Sequence, residues 1–344
     1  MSLDPQCVEL MAAIEEIGSP FDTDDPVEAR RRVQESVDRA KPYGGRFQSV
    51  ENGDFDGPGG KIGYRLYRPE DAVEVPGPIL IYYHGGGMVF GSLDSHDPIC
   101  RAIAEAVPCT VISIDYRLAP ETPFPGAAED AIAAFRWVVA NADSLGIDAA
   151  RVAVGGDSAG GNLAAVVSNE TRGDPIPPCF QWLIYPNVDL AAEGGSIDAF
   201  AEGYFLTRSA MDWYKNFYAP DRADRLNPLC SPLRSESLAG VAPALVTTAG
   251  FDPLKDEGRA YVEKLRADGV PVEYIDYPGM IHGYLRAFAI VDAARQTIDE
   301  LGPGDPRRLR DAGRLTGIPV RTSFFSPPGS GRPVRAGRSR SRGR

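Results

Sequence analysis

The sequence predicts an α/β fold, a mostly parallel central sheet flanked by helices, and three observations predict it. Between residues 79 and 301, short apolar runs alternate with Gly- or Pro-containing turns and helical segments, the mark of βαβ units. One run, RVAVGGD, leads directly into SAGGNLAAVV, a passage from strand through tight turn to helix. Of the 344 residues, 43% are hydrophobic, which suffices for one large core.

The first 45 residues read as a helical arm: Asp25 supplies an acceptor at the N-cap, Pro26 stands at N1, and VEARRRVQESVDRA follows. Residues 46–302 form the expected catalytic domain. It opens with RFQSV and KIGYRLYR, an antiparallel pair around the turn-forming NGDFDGPGG. Strands are predicted at 79–83, 110–115, 152–155, 182–185, 244–249 and 272–277, and helices at 98–106, 127–142, 159–171, 256–267 and 284–301. Between Pro186 and Pro232 the alternation stops. The insertion, about residues 187–231, carries FAEGYFLTRSAMDWYKNFYAP and suits a lid, while Met211, Trp213, Tyr214, Phe217 and Tyr218 equally suit a helix packed on the body.

Residues 303–344 hold 11 Arg and no Lys against Asp305 and Asp311, in a Pro-, Gly- and Ser-rich setting without apolar periodicity. They are expected to be a disordered tail without a role. Over the whole chain, 48 acidic residues outnumber 36 basic ones for a net charge of -12, which argues against a general nucleic-acid or anionic-membrane surface. No run approaches the roughly 18 apolar residues of a membrane span, and MSLDPQCVEL lacks the basic and apolar regions of a secretory leader. Cys7, Cys100, Cys109, Cys179 and Cys230 are odd in number and lack C-x-x-C spacing, so reduced thiols in a cytoplasm are expected, with no metal site.

The chemistry centres on Gly156-Asp157-Ser158-Ala159-Gly160, a G-x-S-x-G sequence between strand and helix. A sharp turn exposes the Ser158 hydroxyl, the flanking glycines make room for neighbouring backbone, and the helix N-terminus offers partial positive charge. Upstream, His84-Gly85-Gly86-Gly87 ends a strand, where open α/β sheets place their sites. Gly85, Gly86 and Ala159 are the expected N–H donors to an oxyanion.

A serine hydroxyl needs a base, and the chain holds only His84, His96 and His282. His84 belongs to the glycine loop, and His96 could line the pocket or cap a helix. His282, in the loop after the strand at 272–277, is assigned as general base. Asp252 follows a strand end in ALVTTAGFDPLKDEG and is the carboxylate expected to orient it, and Asp256 sits better as a charge at the next helix start. The order Ser158, Asp252, His282 is that of hydrolases built on such sheets.

With HGGG, YRLAPE at 116–121, GDSAGGN at 156–162, DPLKDEG at 252–258 and IHGY, the chain resembles the bacterial hormone-sensitive-lipase-like carboxylesterases, family IV of the α/β-hydrolase superfamily, in their GDSAG branch. The resemblance spans about residues 40–300 and implies the α/β-hydrolase fold, a cap from the N-terminal helices and the insertion, and hydrolysis of short- to medium-chain acyl esters without a cofactor. It makes His96, Tyr204, Phe205 and Trp213 candidate pocket walls. The implied partner is a small ester, with no nucleic acid or membrane, and a homodimer stays open. An amidase or acyltransferase could use the same triad, and a receptor could use the same fold.

Overall fold

The computed structural model describes residues 2–39, 43–72, 75–107 and 109–301, and the Arg-rich stretch lies outside them. Two helices lead, α1 (Pro5–Ile17) and α2 (Pro26–Arg39). As the sequence anticipates, the Asp25 carboxylate accepts the Val27 N–H at 2.9 Å where α2 begins.

A hairpin follows, β1 (Phe47–Gly57) and β2 (Gly60–Pro69). Its turn is tighter than expected: Asn52 to Asp56 continue β1 and pair with Arg65 to Lys61, and the reversal is confined to residues 57–60. The local turn preference of Asn and Asp is overridden by the ladder and by Phe55, which is buried against Trp137.

The core then alternates β3 (Gly77–Tyr83), α3 (Leu93–Ala106), β4 (Thr110–Asp115), α4 (Gly126–Ala140), α5 (Ala142–Leu145), β5 (Ile147–Asp157), α6 (Ala159–Glu170) and β6 (Phe180–Ile184). The insertion carries α7 (Ser196–Ala199) and α8 (Arg208–Tyr218). Then come β7 (Ala244–Phe251), α9 (Lys255–Ala267), β8 (Val272–Ile281) and α10 (Asp292–Asp299).

All predicted strands are present, but α3 starts five residues before Pro98 because Ser92 and Ser95 cap each other reciprocally. The helix expected over 284–301 is instead a short 3-10 turn, 284–287, followed by α10.

The eight strands lie in the order β1-β2-β4-β3-β5-β6-β7-β8, antiparallel only where β2 meets β1 and β4. Both sheet faces are covered, as the continuous apolar runs require. In β3, Ile79, Ile81 and Tyr83 face one core, which includes residues of α4, α6 and α9, whereas Leu80 and Tyr82 face the other, with α3 and α10. The chain leaves β3 toward β4 on one side and returns to β5 on the other, so a crevice opens at the carboxyl ends of β3 and β5.

Candidate active site

Four strands deliver their next residues into that crevice: His84 to Gly87 follow β3, Ser158 follows β5, Asp252 follows β7 and His282 follows β8. The serine turn is forced by close packing. A Cβ at Gly156 would lie 2.3 Å from the Tyr83 carbonyl oxygen and one at Gly160 only 1.8 Å from it. Ser158 takes φ 55°, ψ -115°, outside the ordinary wells for an L-residue, at a cost on the order of 1–3 kcal/mol. Its backbone is held by an N–H donated to the Ile184 carbonyl at 2.9 Å and a carbonyl that accepts from Asn187 at 3.2 Å and Asn162 at 3.0 Å.

His282 Nε2 lies 2.8 Å from Ser158 Oγ and His282 Nδ1 lies 2.7 Å from Asp252 Oδ2. Asp252 is fully buried, His282 is 5% exposed, and Ser158 is partly open to the crevice. Asp252 Oδ1 is held by the Leu254 N–H at 2.8 Å, so the carboxylate presents its other oxygen to the imidazole. Asp256 turns elsewhere: its Oδ2 accepts the Ser196 N–H at 2.9 Å and ties α9 to α7.

The glycine loop departs from expectation at one position. The Gly85 N–H is donated to Asp157 Oδ1 at 3.0 Å and is not free for a substrate oxygen. Among the described residues, the N–H groups of Gly86, Gly87 and Ala159 have no protein acceptor, so the free donors come from one residue further along the loop than expected. Gly86 and Gly87 have φ of 126° and 62°, and a Cβ on Gly86 would meet the Phe90 carbonyl at 2.1 Å, which accounts for glycine there.

Asp157 braces this loop. Its buried Oδ1 also accepts the Tyr82 hydroxyl at 2.8 Å and stands 3.4 Å from His96 Nε2. Burial alone would raise its pKa, but the His96 ring and the Tyr82 hydroxyl outweigh that and hold the carboxyl at about 2. His84 is structural: its ring stacks on Tyr116 at 4.3 Å, and burial, with His96 nearby, pushes its pKa down to about 3. Sequence reasoning treated Asp157 only as part of the motif, since its partners Tyr82 and His96 are brought to it by the fold.

The crevice over Ser158 is a cavity of about 40 Å³. His96 and Phe205 line it as expected, together with Phe21, Phe90, Tyr214 and Arg286, which the sequence did not single out. Tyr204 and Trp213 do not line it. Tyr204 packs between Phe200 and Phe251, with ring centroids at 5.5 and 5.2 Å, and Trp213 packs on Phe21 and Phe217 at 6.0 and 5.1 Å. The helical phase of α8 decides this: Tyr214, one residue on, points to the crevice, a step the pattern of aromatics in the insertion could not resolve.

Residues 80–286 match the α/β-hydrolase fold family. The chain is 43% identical over 286 residues to the carboxylic ester hydrolase LipN of Mycobacterium tuberculosis, covering 81% of this chain and 75% of that protein. It is 42% identical over 233 residues to an ethyl acetate hydrolase of Pseudomonas putida, covering 67% and 73% of the two. Among solved structures, an ester hydrolase from the Lake Arreo metagenome, in complex with a bipyridine phosphonate derivative, superposes with a TM-score of 0.84 at 43% identity over 90% of this chain and 99% of the other. A hyperthermophilic esterase of the archaeon Pyrobaculum calidifontis gives a TM-score of 0.82 at 36% identity over 91% and 99%. By sequence, topology and the placing of its motifs, the chain belongs to the α/β-hydrolase superfamily, among the hormone-sensitive-lipase-like carboxylesterases.

Proposed function

We propose that the protein is a serine carboxylesterase acting on short- to medium-chain acyl esters, with Ser158 as nucleophile, His282 as general base and acid, and Asp252 as the carboxylate that orients the imidazole. The observation that carries the assignment is the continuous chain from Asp252 Oδ2 through His282 to Ser158 Oγ, at 2.7 and 2.8 Å. His282 takes the serine proton as Oγ attacks the ester carbonyl. The carbonyl oxygen, now negative, is received by the N–H groups of Gly86, Gly87 and Ala159. The tetrahedral intermediate collapses, His282 protonates the departing alcohol, and an acyl-serine remains. Water, deprotonated by the same imidazole, releases the acid.

The aromatic walls Phe21, Phe90 and Phe205 favour an apolar acyl or alcohol group. The N-terminal helices and the insertion at about 187–231 act as the cap, a role supported by Phe21 and Tyr214 reaching the crevice from them. A cytoplasmic setting is favoured by the five free cysteines, four of them buried. Among the described residues no helix is long and apolar enough to cross a membrane.

Hydrolysis of p-nitrophenyl esters of increasing acyl length by wild type and Ser158→Ala tests the proposal. Activity that peaks at short or medium chains and falls on the order of 10⁴-fold or more in the variant is expected. Turnover of anilides in preference to esters would redirect the assignment to an amidase, and an undiminished Ser158→Ala enzyme would refute it.

A further inference from the structure

A second cavity, of about 120 Å³, lies within the insertion and is lined in part by α8. The side chain of Lys215 lines it. Lys215 is 5% exposed, yet among the described residues its ammonium makes no hydrogen bond and no ion pair. Burial lowers its pKa, a shift that Glu257, Asp212 and Asp189 oppose from beyond ion-pair distance, so the ammonium faces the cavity without a direct partner.

Among the described residues none of these acids lies within ion-pair distance. Asp189 is paired with Arg234 at 2.7 Å. Glu257 is raised by burial, which favours its neutral form, and gives one oxygen to the Asn187 side chain at 2.8 Å. Glu193 and Asp212 line the same cavity but are exposed to solvent.

The cationic character extends further: among the described residues Arg222 is exposed with no ion pair, and Arg225 is buried with no ion pair, its guanidinium donating to the Ala219 carbonyl and to Asn216 Oδ1 at 2.9 Å each. The lining also includes the buried apolar side chains of Leu190, Ile197 and Met211.

We propose that this cavity binds a small carboxylate with a short alkyl chain, its oxygens on Lys215 with Arg222 and Arg225 at the rim and its alkyl part against Leu190, Ile197 and Met211. The mixed cationic and apolar lining selects this class. A halide or inorganic phosphate would satisfy the cations and leave the apolar wall wet, whereas a short-chain carboxylate satisfies both. Carboxylates are also what ester hydrolysis releases. The proposal rests on the esterase reading only for that source of ligand.

Isothermal titration calorimetry of the full chain with sodium butyrate at constant ionic strength tests it, with chloride and phosphate as comparison anions. Lys215→Met keeps the volume and removes the charge. Arg222→Ala alters only an exposed rim residue and keeps the test decisive should Lys215→Met not fold. One butyrate per chain is expected, bound more tightly than chloride or phosphate, about tenfold or more weaker in Lys215→Met and a few-fold weaker in Arg222→Ala. Absence of butyrate binding to wild type, equal binding of the inorganic anions, or binding unchanged in the folded variants would overturn the proposal. Because the readout is binding, a negative result beside normal ester hydrolysis rejects this site and leaves the catalytic assignment intact.

Discussion

Replacing Asp157 with asparagine isolates the charge that braces the glycine loop. Asparagine keeps the volume and can still accept the Tyr82 hydroxyl and the Gly85 N–H through one oxygen, but it cannot ionise beside His96. The buried carboxyl stands at about 2 against 3.8 for an unperturbed aspartate, a difference worth about 2 kcal/mol of native stability at neutral pH. Because the folded-state value is the lower one, this stabilisation is complete above about pH 5 and is lost as pH falls through the folded value, with about half remaining near pH 3.

The assay is urea unfolding of wild type and Asp157→Asn at pH 7 and again toward pH 3. The variant is expected to be less stable by about 2 kcal/mol at pH 7, with the gap shrinking to about 1 kcal/mol near pH 3. Equal stability at pH 7, or a gap that does not narrow in acid, would refute the reasoning that the charge of Asp157 is stabilising. Since Gly85 is tied to this carboxylate, a lower kcat in the folded variant is the functional counterpart, read in the same preparations with a p-nitrophenyl ester.

Ser158→Gly should abolish turnover and yet raise the unfolding free energy by about 1 kcal/mol, because glycine relieves the positive φ; unchanged or reduced stability in urea titration would count against stored strain. Asp252→Asn should lower kcat on the order of 10⁴-fold with KM little changed, since it disturbs the imidazole tautomer rather than the pocket, and steady-state kinetics would reveal a smaller effect. Gly160→Ala should fail to give folded protein, because its Cβ would lie 1.8 Å from the Tyr83 carbonyl oxygen; a native-like circular dichroism spectrum would show that the turn tolerates displacement.

The order of strands and helices was legible because buried parallel strands must be apolar on both faces, and Ile79 to Tyr83 or Val152 to Gly155 cannot be read otherwise. Boundaries were less so. The start of α3 depends on a reciprocal serine cap whose strength outweighs the internal Pro98, and the end of β1 depends on pairing with residues on a neighbouring strand. Local preference decides such limits only where no tertiary contact competes.

For the site, the sequence alone determined the residues whose chemistry is tied to local backbone form. A nucleophilic serine needs a turn flanked by glycines, and its carboxylate and imidazole partners follow strand ends, so Ser158, Asp252 and His282 stand out in the sequence itself. The tertiary structure alone decided which groups were left free to act. It gave the Gly85 N–H to Asp157, leaving Gly86, Gly87 and Ala159 as donors, and it turned Tyr214 rather than Trp213 to the crevice. It also buried Lys215 with no direct ion pair among the described residues. The reason is physical: a motif states which polar groups are present, but whether each is satisfied depends on partners tens to hundreds of residues away, which only packing brings within hydrogen-bond reach.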